Sequence, residues 1–276
     1  MKPLTILSAA ILLAAPTFAQ NEHDHGATGH DQQPAAEKHE MTLPTKLVEQ
    51  TLCPITGEEL EDHDNFIDYE GQRIYVCCKK CKTKVAVKPE QIAMAMFADG
   101  VQLENLQTID PVSGKPLKEK THFHQLYNKR IYVNDMKDVA KVAADPAKYL
   151  DVLEGRKPQE RCAVMGGKID PEASFEIEGM HVGQCCGGCE KKWKKDPAAK
   201  FAVLVERKEV VEPVNMTCPV MPKMNGSKKY PVTLGAKRYY LCGEKVAMMF
   251  VANPEKYLPG WYAAQGIKVP VTPAAL

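Results

Sequence analysis

Ten cysteines hold most of the chemical potential of this chain. Cys77-Cys78-Lys79-Lys80-Cys81 follows the strand-like run Arg73 to Val76 and opens a helical stretch, and a second cluster, Cys185-Cys186-Gly187-Gly188-Cys189, stands 108 residues later. Each has a lone cysteine upstream: Cys53, with twenty-three residues between it and Cys77, and Cys162, with twenty-two between it and Cys185. Cysteines three or four apart share a helix face, so one upstream thiol and two or three at a helix start can converge on a single ion. A helix N-terminus also lowers a thiol's pKa and favours the thiolate that a metal needs. Cys218 and Cys242 repeat the long spacing without a cluster.

The surrounding chain sets the conditions for this chemistry. A formal net charge of +1, with lysines scattered or on helical faces, gives no basic patch for nucleic acid and reads as a solvated surface. Met1-Lys2, the apolar run Leu4 to Ala15 and Thr17-Phe18-Ala19-Gln20 have the three parts of a secretory signal, with cleavage expected after Ala19. That run is too short for a comfortable span of about 20 residues, and no later stretch crosses a bilayer, so a periplasmic or secreted protein is expected. In that compartment thiols either pair as disulfides or are protected by metal. Residues 20–50 form a polar tail with His23, His25, His30 and His39, expected to be disordered and either a loose metal-capturing arm or a solvated linker.

After the tail one pattern recurs four times at a period of roughly 55 residues. It opens on a turn at Cys53, Asp110, Cys162 and Cys218, continues through two alternating runs around Gly71, Asn128, Gly179 and Gly235, and delivers Cys77, Asn134, Cys185 and Cys242. Four residues on stand Cys81, Asp138, Cys189 and Val246, and eight beyond those stand Pro89, Pro146, Pro197 and Pro254. The alternating runs predict β-hairpins, and the prolines mark the start of a second short helix. Val85, Val142, Trp193 and Phe250 occupy one aligned position and are expected to face a core. The fold class is therefore α+β, built of small tandem modules at 51–100, 107–152, 160–206 and 215–260, with a C-terminal tail at 261–276. Modules of about 50 residues bury little apolar surface and need a metal, a disulfide or a packed neighbour.

The upstream cysteine in its turn, the hairpin ending in Cys-Cys-x-x-Cys and the downstream Asp/Asn-Pro-x-x-aromatic resemble the YHS and TRASH heavy-metal-binding domains, small treble-clef-like modules. The resemblance covers about residues 51 to 260. It implies binding of copper or zinc in metal sensing, trafficking or resistance, and no catalysis. Carried onto this chain, it places one site at Cys53, Cys77 and Cys81 and another at Cys162, Cys185 and Cys189, with Cys78 and Cys186 as alternative or additional thiolates. Three thiolates suit trigonal Cu(I), whereas Zn(II) wants a fourth ligand, which His63, Cys78 or Cys186 would supply.

The other two modules depart from the pattern. The second carries Asp110, Asn134, Asp135 and Asp138, types that cap turns and helices, and reads as a module without metal. His122 and His124 share a strand face in that module and read as an exposed edge. In the fourth, Cys218 and Cys242 make either a linear Cu(I) site or a disulfide, the latter favoured by an oxidising compartment. Met165 and Met221, three past the first ligand position, read as core packing, with thioether ligation as the alternative.

The function expected is thus an exported metal-binding protein that sequesters metal ions or passes them to a metal-transport or metalloenzyme partner. The rival is a disulfide-stapled structural or interaction protein, since every module holds an even cysteine count. Adjacent cysteines at a helix start are, however, poorly placed to bridge each other. A thiol-disulfide oxidoreductase would rest on a bare Cys-x-x-Cys without a thioredoxin pattern, so no enzyme is expected.

Overall fold

The computed structural model describes residues 43–267; the expected signal segment and the four tail histidines lie outside them. The architecture is α+β, with small sheets alternating with short helices. No helix among the described residues is long and apolar enough to cross a membrane.

One order of elements recurs four times. The antiparallel hairpins pair Phe66–Tyr69 with Gln72–Tyr75, His122–Leu126 with Lys129–Val133, Asp170–Ile177 with Met180–Gln184, and Pro231–Leu234 with Lys237–Tyr240. In the first and third hairpins both turn residues have positive φ, 46° and 74° at Glu70 and Gly71, 49° and 71° at Glu178 and Gly179. Such turns match the right-handed twist of the flanking strands.

Two helices follow each hairpin, and the second opens on proline every time: Pro89–Ala98, Pro146–Glu154, Pro197–Glu206 and Pro254–Ala264. A proline at the first helical position sacrifices no hydrogen bond, because that N–H has no partner within the helix. The side chains of Asp145, Asp196 and Asn253 cap the last three of these helices. The first helices are Lys79–Val87, Met136–Ala144 and Glu244–Ala252, but in the third module Gly187-Gly188 gives a 3-10 turn, Gly187–Cys189, before the short helix Glu190–Lys195. Val85, Val142, Trp193 and Phe250 are all fully buried, as their aligned position requires.

The modules associate in two equivalent pairs. Val48–Glu49 runs parallel to Val101–Gln102, and Lys157–Pro158 runs parallel to Glu209–Val210, so each thiol-rich module is closed by the segments that flank it. The connector out of the first module then pairs with its returning strand, Asn105 opposite Gln72, and Pro213 bridges Met180 at the corresponding place in the third. Lys129 from the second hairpin binds Glu70 at the first hairpin's turn, and Lys237 binds Glu178 in the same way. Asn128 Nδ2 donates to Gln72 Oε1 at 2.8 Å, completing the first tip-to-tip contact.

The two pairs are joined by a chain of charges. Arg156 bonds Glu70 at 2.9 Å and Asp151 at 3.3 Å, and Arg238 bonds Asp151 at 2.6 Å and Glu212 at 2.9 Å. Lys129 and Arg238 are buried. This corrects the expectation of solvated basic residues: at hairpin tips the cations are partnered and packed between modules. Apolar packing adds to the link, since Met94 and Phe97 of the first module join the core shared by the other three.

Two boundaries also shift. The stretch just before 51, assigned to a disordered tail, contains the strand Val48–Glu49 and the buried Gln50. The last helix continues past 260 to Ala264, burying Trp261, whose Nε1 donates to Thr217 O at 2.8 Å.

Burial among Tyr69, Glu70 and Glu154 raises the Glu90 carboxyl from 4.5 to about 7, despite attraction from Lys129. Between those values the folded protein keeps a proton that the unfolded chain has lost, so stability falls as pH rises. Burial raises Glu154 as well, with the same sign, whereas burial lowers His124 and gives the opposite slope. Both of those groups remain in Glu90→Gln. Denaturant titrations between pH 4.5 and 7 are therefore expected to show wild type losing on the order of 2 kcal/mol relative to Glu90→Gln.

Candidate metal centre

Each site is built on a tight knuckle. Cys53 N–H donates to Glu58 O at 2.8 Å, and Gly57 N–H donates back to Cys53 O at 2.9 Å. The same two bonds recur as Asp110 to Lys115 and Gly114 to Asp110, both 2.8 Å, and as Cys162 to Gly167 and Gly166 to Cys162, both 2.9 Å. Gly57 and Gly166 have φ of 74°, a left-handed conformation that glycine adopts without steric cost. The returning strand of the hairpin then brings the second thiol beside the knuckle, and the following helical turn brings the third.

The result is two thiol triads, Cys53–Cys77–Cys81 and Cys162–Cys185–Cys189, in each of which all sulfurs lie within 4.8 Å of one another. Cys77 Sγ and Cys81 Sγ are 3.8 Å apart, and Cys185 Sγ and Cys189 Sγ 3.7 Å, the roughly 3.5–4 Å separation of thiolates around one ion. A disulfide would need about 2.05 Å, and all ten cysteines are unbonded. In each triad the first and third cysteines are buried and the second is half-buried, which leaves one open edge.

The electrostatics divide the ligands. Burial opposes ionisation of Cys53, but hydrogen bonds from the Thr56 hydroxyl and from the backbone N–H groups of Cys77, Ile55 and Thr56 outweigh it and lower the thiol from 9.0 to about 6. Cys162 is lowered too, burial again being outweighed by the N–H groups of Met165, Cys185 and Val164. Burial pushes Cys81 and Cys189 up to about 12. A helix start was expected to acidify the clustered thiols, yet among them only Cys78 and Cys186 are lowered, Cys78 chiefly by the backbone N–H and thiol of Cys81 and Cys186 chiefly by the Cys189 thiol. The knuckle cysteine is therefore the most readily ionised of each triad, and a metal must displace protons from its companions.

The additional ligands considered are arranged less favourably. Cys78 and Cys186 fall outside the triads, although Cys186 Sγ lies 3.7 Å from Cys189 Sγ. His63 stacks on the Tyr75 ring at 4.1 Å and joins neither triad. Met165 and Met221, expected in the core, are 63% and 44% exposed. In the first and fourth modules that position faces the second ligand: Thr56 Oγ1 lies 3.5 Å from Cys77 Sγ, and Met221 Sδ lies 3.7 Å from Cys242 Sγ, whereas the Met165 sulfur lies 3.9 Å from Lys192 Nζ.

In the second module the oxygen groups are turned to partners within the protein. Buried Asp110 accepts from Val112 N at 2.9 Å, Ser113 Oγ at 2.7 Å and Asn134 N at 3.4 Å, so its carboxylate occupies the place of the thiolate in the thiol-bearing knuckles. Asn134 bonds Lys118 and Pro116, Asp135 caps the helix, and Asp138 pairs with Lys141. In the fourth, Cys218 is buried and Cys242 half-buried, both free rather than joined as the compartment argument suggested.

A further residue type holds the sites together and escaped the sequence reading. Gln50 Nε2 donates to Leu52 O and Tyr75 O at 3.0 and 2.7 Å, while Tyr75 N donates to Gln50 Oε1 at 3.0 Å. Gln107 clamps Ile109 and Tyr132 in the same way, and Gln159 clamps Arg161 and Gly183. Each stands three residues before the knuckle's first residue and grips the returning strand two residues before the second ligand position. The aligned glutamines were visible in the repeat, but Gln50 had been assigned to the tail. Gln50→Ala unpairs buried backbone groups and is expected to cost about 1–3 kcal/mol in metal-free denaturation and to weaken metal binding. Gln107→Ala is expected to cost a similar amount and leave metal stoichiometry unchanged.

No family model, no curated protein and no solved structure matches this chain.

Proposed function

We propose that the protein is an exported carrier of soft or transition-metal ions, copper or zinc, holding them reversibly through Cys53–Cys77–Cys81 and Cys162–Cys185–Cys189. The observation that carries this reading is the convergence of three unbonded sulfurs, from a knuckle, a strand end and a helix start, at two places in one chain. Its four modules are proposed to be of the YHS/TRASH kind. Supporting this is the fourfold order of knuckle, hairpin and helices, together with the ligand positions quoted from that family.

The ion is the cargo. The Cys53 or Cys162 thiolate captures it first, and coordination displaces protons from the raised thiols of Cys77 and Cys81, or of Cys185 and Cys189. Three sulfurs satisfy trigonal Cu(I), while Zn(II) would recruit Cys78, Cys186 or a water as a fourth ligand. The half-buried second cysteine gives an incoming thiol of a transport or metalloenzyme partner an edge at which to replace protein ligands one at a time. Binding and hand-over, rather than catalysis, follow from such a site.

Native mass spectrometry of the whole chain loaded with Zn(II) is expected to show about two bound ions, lost on chelation with new alkylation at the six triad cysteines. Cys81→Ser should remove about one ion and lower the melting temperature of the loaded protein, because binding and folding share free energy. Cysteines that resist alkylation until reduced, with no metal mass, would overturn the proposal.

A further inference from the structure

The fourth module has lost the third thiol of the triads. Val246 stands at that position and packs against the apolar core, so the pattern that defines the other two sites is broken. The remaining cysteines nevertheless keep the positions of the first two thiols of the triads: buried Cys218 sits in the knuckle and half-buried Cys242 follows the end of the returning strand. The knuckle has also changed shape. Cys218 N–H reaches over to Met224 O, one residue further along than the corresponding bonds in the other three, and Pro222 replaces the glycine.

The longer loop presents Met221, whose Sδ lies 3.7 Å from Cys242 Sγ while 44% of the residue remains exposed to water. A methionine packed for its apolar surface would be buried. This one spends its burial on neither core nor interface and aims its thioether at a thiol. Met224, 47% exposed, stands at the rim of the same loop. Three sulfurs are thus collected by a different route, two from the old ligand positions and one from within the knuckle.

From this geometry we infer that Cys218, Cys242 and Met221 form a third metal site, selective for a soft monovalent cation, Cu(I) or Ag(I), over Zn(II). The inference rests on the carrier reading above and extends it to ion selectivity. Thioether sulfur is a weak donor to Zn(II), which prefers thiolate, imidazole and carboxylate, but a good one to d10 monovalent ions. Two thiolates and one neutral sulfur also place less negative charge on the ion than the triads do, which suits a single positive charge. The other modules lack the device: the aligned Thr56 and Ser113 offer only hydroxyls, and the amine of Lys192 lies 3.9 Å from the Met165 sulfur.

The test uses the reduced full-length chain labelled with 13C at the methionine methyl groups, titrated without oxygen with Cu(I) or with Zn(II). Cu(I) is expected to shift the Met221 methyl resonance, identified by its loss in Met221→Leu, whereas Zn(II) leaves it in place. Met221 is largely at the surface, so Met221→Leu is expected to fold and to retain about two Cu(I) against a competing chelator where wild type retains about three. A Met221 resonance that ignores Cu(I) while about two ions still bind would overturn the third site and leave the carrier reading intact. A shifted Met221 with no ion held by the triads would do the reverse. A Cys218–Cys242 disulfide in protein purified without reductant would also overturn the third site.

Discussion

Backbone N–H groups converging on one anionic side chain are the interaction on which this structure depends. In the first, second and third modules the same three donors turn inward: two from the knuckle and one from the end of the returning strand. Cys53, Asp110 and Cys162 receive them. Each donor set would be a buried, unpaired liability without its acceptor, and the donors in turn lower the acceptor's pKa against the opposing effect of burial. Knuckle and hairpin are thereby locked at a fixed separation, and that separation places the second and third thiols of a triad beside the first. The glutamine clamp reinforces the same junction from the other side of the strand.

The second module shows what this requirement means once the thiols are gone. Its carboxylate keeps the donors satisfied, its hairpin and helices persist, and its surface supports the first module through Asn128 and Lys129. Small modules need such support. The first keeps its own cluster of buried residues, including Cys53 and Cys81, but the second shares its core with the third and fourth. Ion pairs at the hairpin tips add orientation more than net stability, since burying charges costs much of what their attraction returns. Their value lies in fixing which module meets which.

Much of this was legible in the residues themselves. The hairpins follow from alternation around Gly71, Gly179 and Gly235, the helix pairs from four prolines in register, and the buried stripe from Val85, Val142, Trp193 and Phe250. Spacing grouped Cys53 with the Cys77–Cys81 cluster, and the family resemblance singled out Cys77 and Cys81 within it. What spacing does not encode is which side chains a neighbour covers. Lys129 read with the other lysines as a surface residue because its partner Glu70 lies far away in sequence. Met165 and Met221 read as core because apolar residues usually are, while their place on a knuckle turns them outward. Gln50 and Gln159 fell just outside module boundaries drawn at 51 and 160, which hid their alignment with Gln107.

The pairing of modules has a consequence for how such a chain can change in length. Glu70 and Glu178 hold strained, left-handed turns whose carboxylates are answered by Lys129 and Lys237, each 59 residues downstream. Within a pair the recognition is directional, from a thiol-rich member to the companion that follows it. Excising or inserting a single module would shift every later tip by one partner and set acid against a turn with no base to meet it. Such a protein is expected to grow or shrink two modules at a time, the two-module cassette being the smallest heritable block that arrives with its own complement.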